Sequence, residues 1–200
     1  MTETAIGDGR ETRPGTALLV CGMHRSGTSA LSGVLGLLGA ELPATRMPPA
    51  PSNEKGFFES RVVHALNEAI LQSAGSSWQD WLAFNAAWHD SDLREDFAAR
   101  AADVLRGEYG SAPLILLKDP RICRLLPFWS SVLKTAQKRV AIVHLHRNPL
   151  DVALSLKARN DIPPELGMLL WLRHVLNAER DSRSFKRCFA SYDQLLANWA

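Results

Sequence analysis

Short apolar runs along the chain predict buried strands. Residues 17–22 (ALLVCG) and 114–117 (LILL) are apolar throughout, a pattern typical of strands covered on both faces, as in parallel sheets. Two further strands are predicted at residues 139–146 and 186–191. Each of these four segments is followed along the chain by a segment with helical character.

Between the strands, apolar positions recur at helical spacing. Asn148 is placed to cap one such helix, with Pro149 at its first position and Asp151 in its first turn. Helices are predicted at 28–39, 60–73, 91–108, 149–159, 165–182 and 192–199, with another that ends near residue 136. This alternation predicts an α/β fold with three layers, in which a mainly parallel central sheet carries helices on both faces, as in P-loop NTPases.

Composition narrows the class of protein without naming a function. The 200 residues suit one domain, predicted at 16–200, behind a flexible N-terminal tail of residues 1–15. A formal net charge of +2 is too small to suggest a nucleic-acid coat protein. No secretory signal or membrane-spanning run is apparent, and the three cysteines lack CxxC spacing, so a cytoplasmic protein with free thiols is expected. The oligomeric state is left open.

The segment from Gly22 to Ser29 (GMHRSGTS) predicts a phosphate-binding loop. It follows a predicted strand and opens a predicted helix, where unpaired backbone N–H groups and the helix dipole favour an anion. The spacing of Gly22 and Gly27 matches a nucleotide P-loop, but Thr28-Ser29 replaces the usual Lys-Ser/Thr. A cation appears earlier instead, as Arg25. We therefore expect phosphate binding, but not the usual geometry for Mg-ATP.

Two stretches together resemble the sulfotransferases that use 3′-phosphoadenosine 5′-phosphosulfate (PAPS). CGMHRSGTSAL at residues 21–31 resembles their phosphosulfate loop, and VHLHRNPLDVALS at residues 143–155 resembles their 3′-phosphate site. In the second stretch a serine, Ser155, follows eight residues after Arg147, as in the family. Tyr192-Asp193-Gln194-Leu195 is similar to a late family segment, although Gln194 departs from it. The resemblance spans about residues 17–198 and points to a bacterial branch that is similar to carbohydrate and tyrosylprotein sulfotransferases.

The resemblance implies PAPS as co-substrate, with no metal, and assigns residues to its parts. It implies that Arg25 clamps the bridging oxygens, that Arg147 and Ser155 hold the 3′-phosphate, and that Tyr192 also belongs to the cofactor site. The 5′-phosphate would be bound by the remaining loop residues, Ser26, Gly27, Thr28 and Ser29. Arg147 follows a strand at the carboxyl edge of the predicted sheet, where open α/β sheets bind ligands.

For the chemistry, the resemblance implies a catalytic glutamate and a lysine. Glu59 is the first candidate for the base, because the neighbouring Phe57 and Phe58 would desolvate it and raise its pKa. Glu54 is the rival base, and for either one a solvated carboxylate at a helix start is the plain alternative. Lys118, just past a strand, is expected to point at the sulfuryl group.

Other interpretations stay open from the sequence. A P-loop kinase or NTPase would explain the loop but neither the missing lysine nor the Arg147–Ser155 pair. A non-catalytic nucleotide-binding or scaffold protein is the second alternative. The family continues past the Tyr-Asp-x-Leu segment, so either a C-terminal part is missing, or the pocket is completed otherwise, or binding is weak. The expected partner is a small-molecule or carbohydrate acceptor with a hydroxyl or amine, not nucleic acid or a membrane. The Trp78, Trp81, Phe84 and Trp88 cluster fits core packing and an acceptor platform equally well.

Overall fold

The four predicted strands form one parallel sheet. The structure, a computed structural model, describes residues 14–51, 53–54 and 56–197, so the predicted tail lies almost wholly outside the described residues. The strands run in the spatial order β2-β1-β3-β4 and every pairing between neighbours is parallel. Their bounds are Thr16–Cys21 for β1, Leu114–Lys118 for β2, Arg139–His146 for β3 and Lys186–Ser191 for β4.

The helices follow the predicted segments closely. They are α1 Thr28–Leu37, α2 Arg61–Ser73, α3 Asp92–Tyr109, α4 Ile122–Thr135, α5 Pro149–Asn160, α6 Pro164–Asp181 and α7 Tyr192–Ala197, with a short 3-10 helix at Ala86–Asp90. Helix α1 ends at Leu37 instead of the predicted Gly39, because Gly39 adopts a φ of 97°, which terminates the helical backbone. The predicted end of α7 at residue 199 lies outside the described residues. In the part of the chain that is described, no helix is long and apolar enough to cross a bilayer.

Alternate side chains of the central strand β1 pack on opposite faces of the sheet. Ala17, Leu19 and Cys21 are buried in a large core with residues of α2, α3 and α4. Val20 lies in a smaller core with Leu31 of α1. Because successive side chains of a strand point to opposite sides, this division gives the three layers expected from the sequence.

The tryptophan-rich segment is mostly core. Trp88 is buried and its Nε1 donates a hydrogen bond to Ser73 Oγ at 2.8 Å. Trp78 packs on His24 with ring centroids 4.5 Å apart. The buried Arg124 of α4 donates to the carbonyl oxygens of residues 77 and 82, which ties the segment to α4. Of the four aromatic residues, only Trp81, 48% exposed, is left largely open to solvent.

All four carboxyl ends of the strands meet at one edge of the sheet. The predicted phosphate loop follows β1, Lys118 ends β2, Arg147 follows β3 and Tyr192 follows β4. In open parallel sheets this edge is the usual place for a ligand. The topology therefore brings segments that are far apart in sequence to a single place.

We predict that Ser60→Ala destabilises the start of α2. Ser60 caps this helix, and its Oγ accepts hydrogen bonds from the amides of Val62 at 3.1 Å and Val63 at 3.0 Å. Loss of such a cap costs about 1 kcal/mol, so the midpoint of thermal unfolding should fall by roughly 2–4 °C. As a control, Ser130→Ala removes an exposed hydroxyl of α4, and an equal fall in that variant would contradict the role of the cap.

Candidate functional site

The loop after β1 is shaped by two glycines for different reasons. At Gly22 a Cβ would lie 2.8 Å from the carbonyl oxygen of Leu145 on β3, so the close approach of β1 and β3 requires glycine there. Gly27 has a φ of 89°, and a Cβ there would overlap the ring of Tyr192. Arg25 also has a left-handed φ, of 69°, which costs a non-glycine residue free energy and is common at ligand-binding sites.

The loop presents hydrogen-bonding groups to a cleft at the sheet edge. Gly27 is the N-cap of α1 and offers no side chain to cap the first-turn amides. These amides border the cleft, whose lining includes Gly27, Thr28, Ser29 and Ala30. Within the described residues the fully buried Ser26 Oγ has no hydrogen-bond partner. A helix N-terminus with open donors is suited to an anion.

Two sequence-predicted arginines and Ser155 meet beside this loop. Arg25 Nε donates a hydrogen bond to Ser155 Oγ at 2.8 Å, across 130 residues of sequence. Arg147 Nη1 donates to the carbonyl oxygen of Arg25 at 3.2 Å, and its guanidinium lies 5.0 Å from the centre of the Tyr192 ring. Burial lowers the pKa of Arg25, and the positive charges of Arg159 and Arg147 lower it further. This concentration of positive charge favours an anionic ligand.

On the other side of the cleft, Lys118 and Glu59 form a buried ion pair. Both side chains are almost fully buried and Lys118 Nζ donates to Glu59 Oε1. The same ammonium group donates to the carbonyl oxygen of Phe57 at 3.1 Å and to Ser29 Oγ at 3.3 Å. Ser29 Oγ also accepts from Asn53 Nδ2 at 3.2 Å. Lys118 thus links the glutamate to the first turn of α1.

The structure separates the two candidate glutamates. Burial raises the pKa of Glu59, although the positive charge of Lys118 opposes this shift. The expectation of a desolvated Glu59 is confirmed, and the alternative of a solvated carboxylate is wrong for this residue. Glu54 is exposed and lines a neighbouring groove instead of the cleft. Of the two, Glu59 is the carboxylate that borders the cleft with Lys118.

A second layer of charges lies behind this pair. Arg121 is neutralised by Asp119 and by Glu68 of α2. Burial alone would raise the pKa of Asp119, but Arg121 holds it well below its usual range. Glu59, His64 and Asp119 place ligand-type atoms within 4.8 Å of one another. Because both carboxylates already face cationic side chains, a metal ion would have to displace Lys118 and compete with Arg121.

Three polar residues of the cleft were absent from the predicted site. His24 is buried, and burial together with the charge of Arg121 keeps its pKa well below its usual range. Asn53 orients Ser29 and also donates to the carbonyl oxygen of Gly56 at 2.6 Å. Arg159 lies four residues after Ser155, a spacing that places two helical residues on one face and was visible in the sequence.

The cleft continues into a larger apolar groove. The cleft itself has a volume of about 180 Å³, which is less than the ~300–1,000 Å³ of most small-molecule sites. Ser29, Ala30, Asn53 and Tyr192 border both the cleft and a groove of about 670 Å³. The groove is walled by Gly33, Val34 and Leu37 of α1, by Phe58, and by Leu195 and Leu196 of α7. Cleft and groove together have room for a ligand of nucleotide size.

An uncapped helix N-terminus and convergent arginines lie at the carboxyl edge of a parallel sheet, in a three-layer α/β fold like that of P-loop proteins. Residues 17–200 match the family model described as the sulfotransferase family. The chain therefore belongs to the sulfotransferase family and is an enzyme of sulfuryl transfer. A search of curated proteins found no significant match.

We predict that Gly27→Ala is more destabilising than glycine replacement at another left-handed position. Gly75 has a φ of 71°, but a Cβ there meets nothing within 4 Å, whereas at Gly27 the Tyr192 ring is in the way. Gly75→Ala should show only the backbone cost, roughly 1–2 kcal/mol, and Gly27→Ala should lower the unfolding midpoint by clearly more. Equal midpoints for the two variants would mean that the ring moves aside without cost.

Proposed function

We propose that the protein transfers the sulfuryl group of PAPS to a hydroxyl of a small-molecule or carbohydrate acceptor. The observation that carries this proposal is the meeting of Arg25, Ser155 and Arg147 beside the uncapped start of α1. PAPS has two anionic ends, and the site offers two groups of hydrogen-bond donors. Membership of the sulfotransferase family also supports PAPS as the source of the sulfuryl group.

The parts of PAPS can be matched to residues of the site. The amides from Gly27 to Ser29 suit the 5′-phosphate, as does the Ser26 hydroxyl, which has no partner among the residues that the structure describes. Arg147 and Ser155 suit the 3′-phosphate, since an arginine and a hydroxyl can hold a phosphate dianion by charge-assisted hydrogen bonds. The adenine would lie along Tyr192 and Ala30, where the cleft opens into the apolar groove.

The reaction would be an in-line displacement at sulfur. The acceptor oxygen forms a bond to sulfur, the bond from sulfur to the bridging phosphate oxygen breaks, and 3′,5′-ADP leaves with that electron pair. Glu59 takes the proton of the acceptor hydroxyl, while Arg25 and Lys118 stabilise negative charge on the leaving oxygen and the sulfuryl group. Since Lys118 Nζ contacts both Glu59 and Ser29, it lies between the base and the donor site.

The free thiols of the three cysteines support a cytoplasmic location for this enzyme. Cys21 and Cys123 are buried and Cys188 is exposed, and all three are unpaired. Free cysteines persist in reducing compartments. The proposal therefore includes the cytoplasm as the place of action.

We predict that 3′,5′-ADP binds the protein more tightly than ADP does. The difference comes from the 3′-phosphate, whose charge-assisted hydrogen bonds should give at least about a tenfold ratio of affinities. The measurement is calorimetric titration of each nucleotide. Equal affinities, or tighter binding of Mg-ATP than of 3′,5′-ADP, would overturn the PAPS assignment in favour of a kinase or NTPase.

Arginine variants at the two ends of β3 give a matched test. Arg147 follows the carboxyl end of this strand, while the exposed Arg139 begins it at the opposite end. Arg147→Ala should erase the preference for 3′,5′-ADP, and Arg139→Ala removes the same charge and should keep the preference. Loss of the preference in both variants would indicate a general effect of charge instead of a 3′-phosphate site.

We predict that Glu59→Gln reduces turnover of PAPS by about 10²–10⁴-fold, because the amide cannot accept the acceptor's proton. Turnover by the wild-type enzyme should also fall as the pH decreases through the pKa of Glu59, which burial raises. The measurement is release of 3′,5′-ADP with any accepted hydroxyl compound.

Controls must separate the base from the ion pair. Glu59→Gln leaves the buried Lys118 without its anion, which is destabilising by itself. Glu59→Asp retains the charge, so it should unfold at a higher temperature than the Gln variant and recover part of the turnover. Glu54→Gln, at an exposed position outside the cleft, should lose little. An inactive Glu54→Gln beside an active Glu59→Gln would move the base to Glu54.

A further inference from the structure

Arg159 is a cation of the cleft that the proposed donor site does not use. It lies in the last turn of α5 and lines the cleft together with Arg25, Arg147 and Lys118. Lys118 is already paired with Glu59, and the two other arginines surround the phosphate loop. Arg159 is therefore left over once the anionic groups of PAPS have been assigned.

Arg159 lies on the side of the cleft that contains Glu59, the proposed base. Ser155 and Arg159 are four residues apart on one face of α5, so Arg159 lies a full turn beyond the residue that contacts Arg25. Burial lowers the pKa of Arg159, while the carboxylate of Glu59 raises it. Arg159 and Glu59 line the same cleft, so their opposite charges face a shared space.

The side chain that accepts a hydrogen bond from Arg159 is neutral, although an anion would stabilise the guanidinium more. Arg159 Nε donates to Oδ1 of the adjacent Asn160 at 2.8 Å. Among the described residues, no carboxylate lies within ion-pair distance of its guanidinium. Its neighbours in the cleft include Arg25, whose pKa it lowers. Arg159 is exposed and lines the cleft beside other cations and Glu59. Such a cation, on the side of the proposed base, is suited to an anionic group of an entering acceptor.

We propose that Arg159 determines acceptor specificity by binding an anionic group, a carboxylate or a sulfate or phosphate ester, on the hydroxyl compound that receives the sulfuryl group. This inference rests on the proposed function, since it concerns the acceptor side of the same cleft. A neutral hydroxyl compound of the same shape would leave the guanidinium without a counter-ion and would bind less well.

Matched glycosides test the proposal directly. The protein saturated with 3′,5′-ADP is titrated in a calorimeter with nitrophenyl β-glucoside, with the β-glucuronide, and with the glucoside sulfated on its primary hydroxyl. At least one anionic glycoside should bind about tenfold more tightly than the neutral one, and comparison of the two distinguishes a carboxylate from a sulfate ester. The same preference should appear in KM when PAPS is turned over.

Variants on α5 assign the preference to Arg159. Arg159→Ala should abolish it and Arg159→Lys should restore part of it, while the affinity for 3′,5′-ADP stays unchanged. Lys157→Ala, which removes an exposed cation two residues away that is paired with Asp161, should leave the preference intact.

Several results would overturn the inference. They are the absence of tighter binding by either anionic glycoside, a preference that survives Arg159→Ala, and a loss of 3′,5′-ADP affinity in Arg159→Ala as large as in Arg147→Ala. The last result would place Arg159 on the donor. If wild-type protein does not prefer 3′,5′-ADP over ADP, the proposed function itself fails. If it does prefer 3′,5′-ADP but shows no anionic preference, only the role of Arg159 is wrong.

Discussion

The parallel alignment of the four strands is the constraint on which the site depends. Parallel pairing forces each connection to cross back over the sheet, so every strand ends at the same edge. The phosphate loop, Lys118, Arg147 and Tyr192 are thereby brought together although they are distributed over most of the chain. If β3 ran antiparallel to β1, Arg147 would lie at the far end of the sheet from Arg25. The order and direction of the strands therefore determine which side chains lie in the cleft, and individual contacts then fix their positions.

The buried pair of Lys118 and Glu59 shows how the site balances charge. Each group alone would be costly to bury, and the attraction between them offsets part of that cost. The pair also keeps a carboxylate with a raised pKa next to a cation at the cleft. Further back, Arg121 is neutralised by Asp119 and Glu68. The net positive charge is thus concentrated on the arginines at the front of the cleft.

Local patterns were sufficient to predict the elements of the fold. The apolar runs marked β1 and β2, and Asn148 followed by Pro149 marked the start of α5, where Asn148 Oδ1 accepts from the Leu150 amide at 2.9 Å. The residues gathered at the cleft could be anticipated because strand ends and motif spacing are local features. Other contacts could not be anticipated from the sequence, because each joins residues that only tertiary packing brings together. They are the pairing of Arg25 with Ser155, the neutralisation of Arg121, and the anchoring of the tryptophan segment by Arg124. Arg159 could have been found from its spacing to Ser155, but only once the face of α5 toward the cleft was known.

The contact between Tyr192 and Gly27 has a consequence for the order of folding. The phosphate loop is made early in synthesis, yet Gly27 packs against the ring of Tyr192 at the start of α7. The side chain of Arg25 in the same loop donates a hydrogen bond to Ser155, 130 residues further along the chain. Contacts between such distant residues close large loops and form slowly. The loop therefore reaches its final shape only after β4 and α7 have joined the sheet. A chain still being synthesised would therefore carry the sequence of this loop before Ser155 and Tyr192 are available to pack against it.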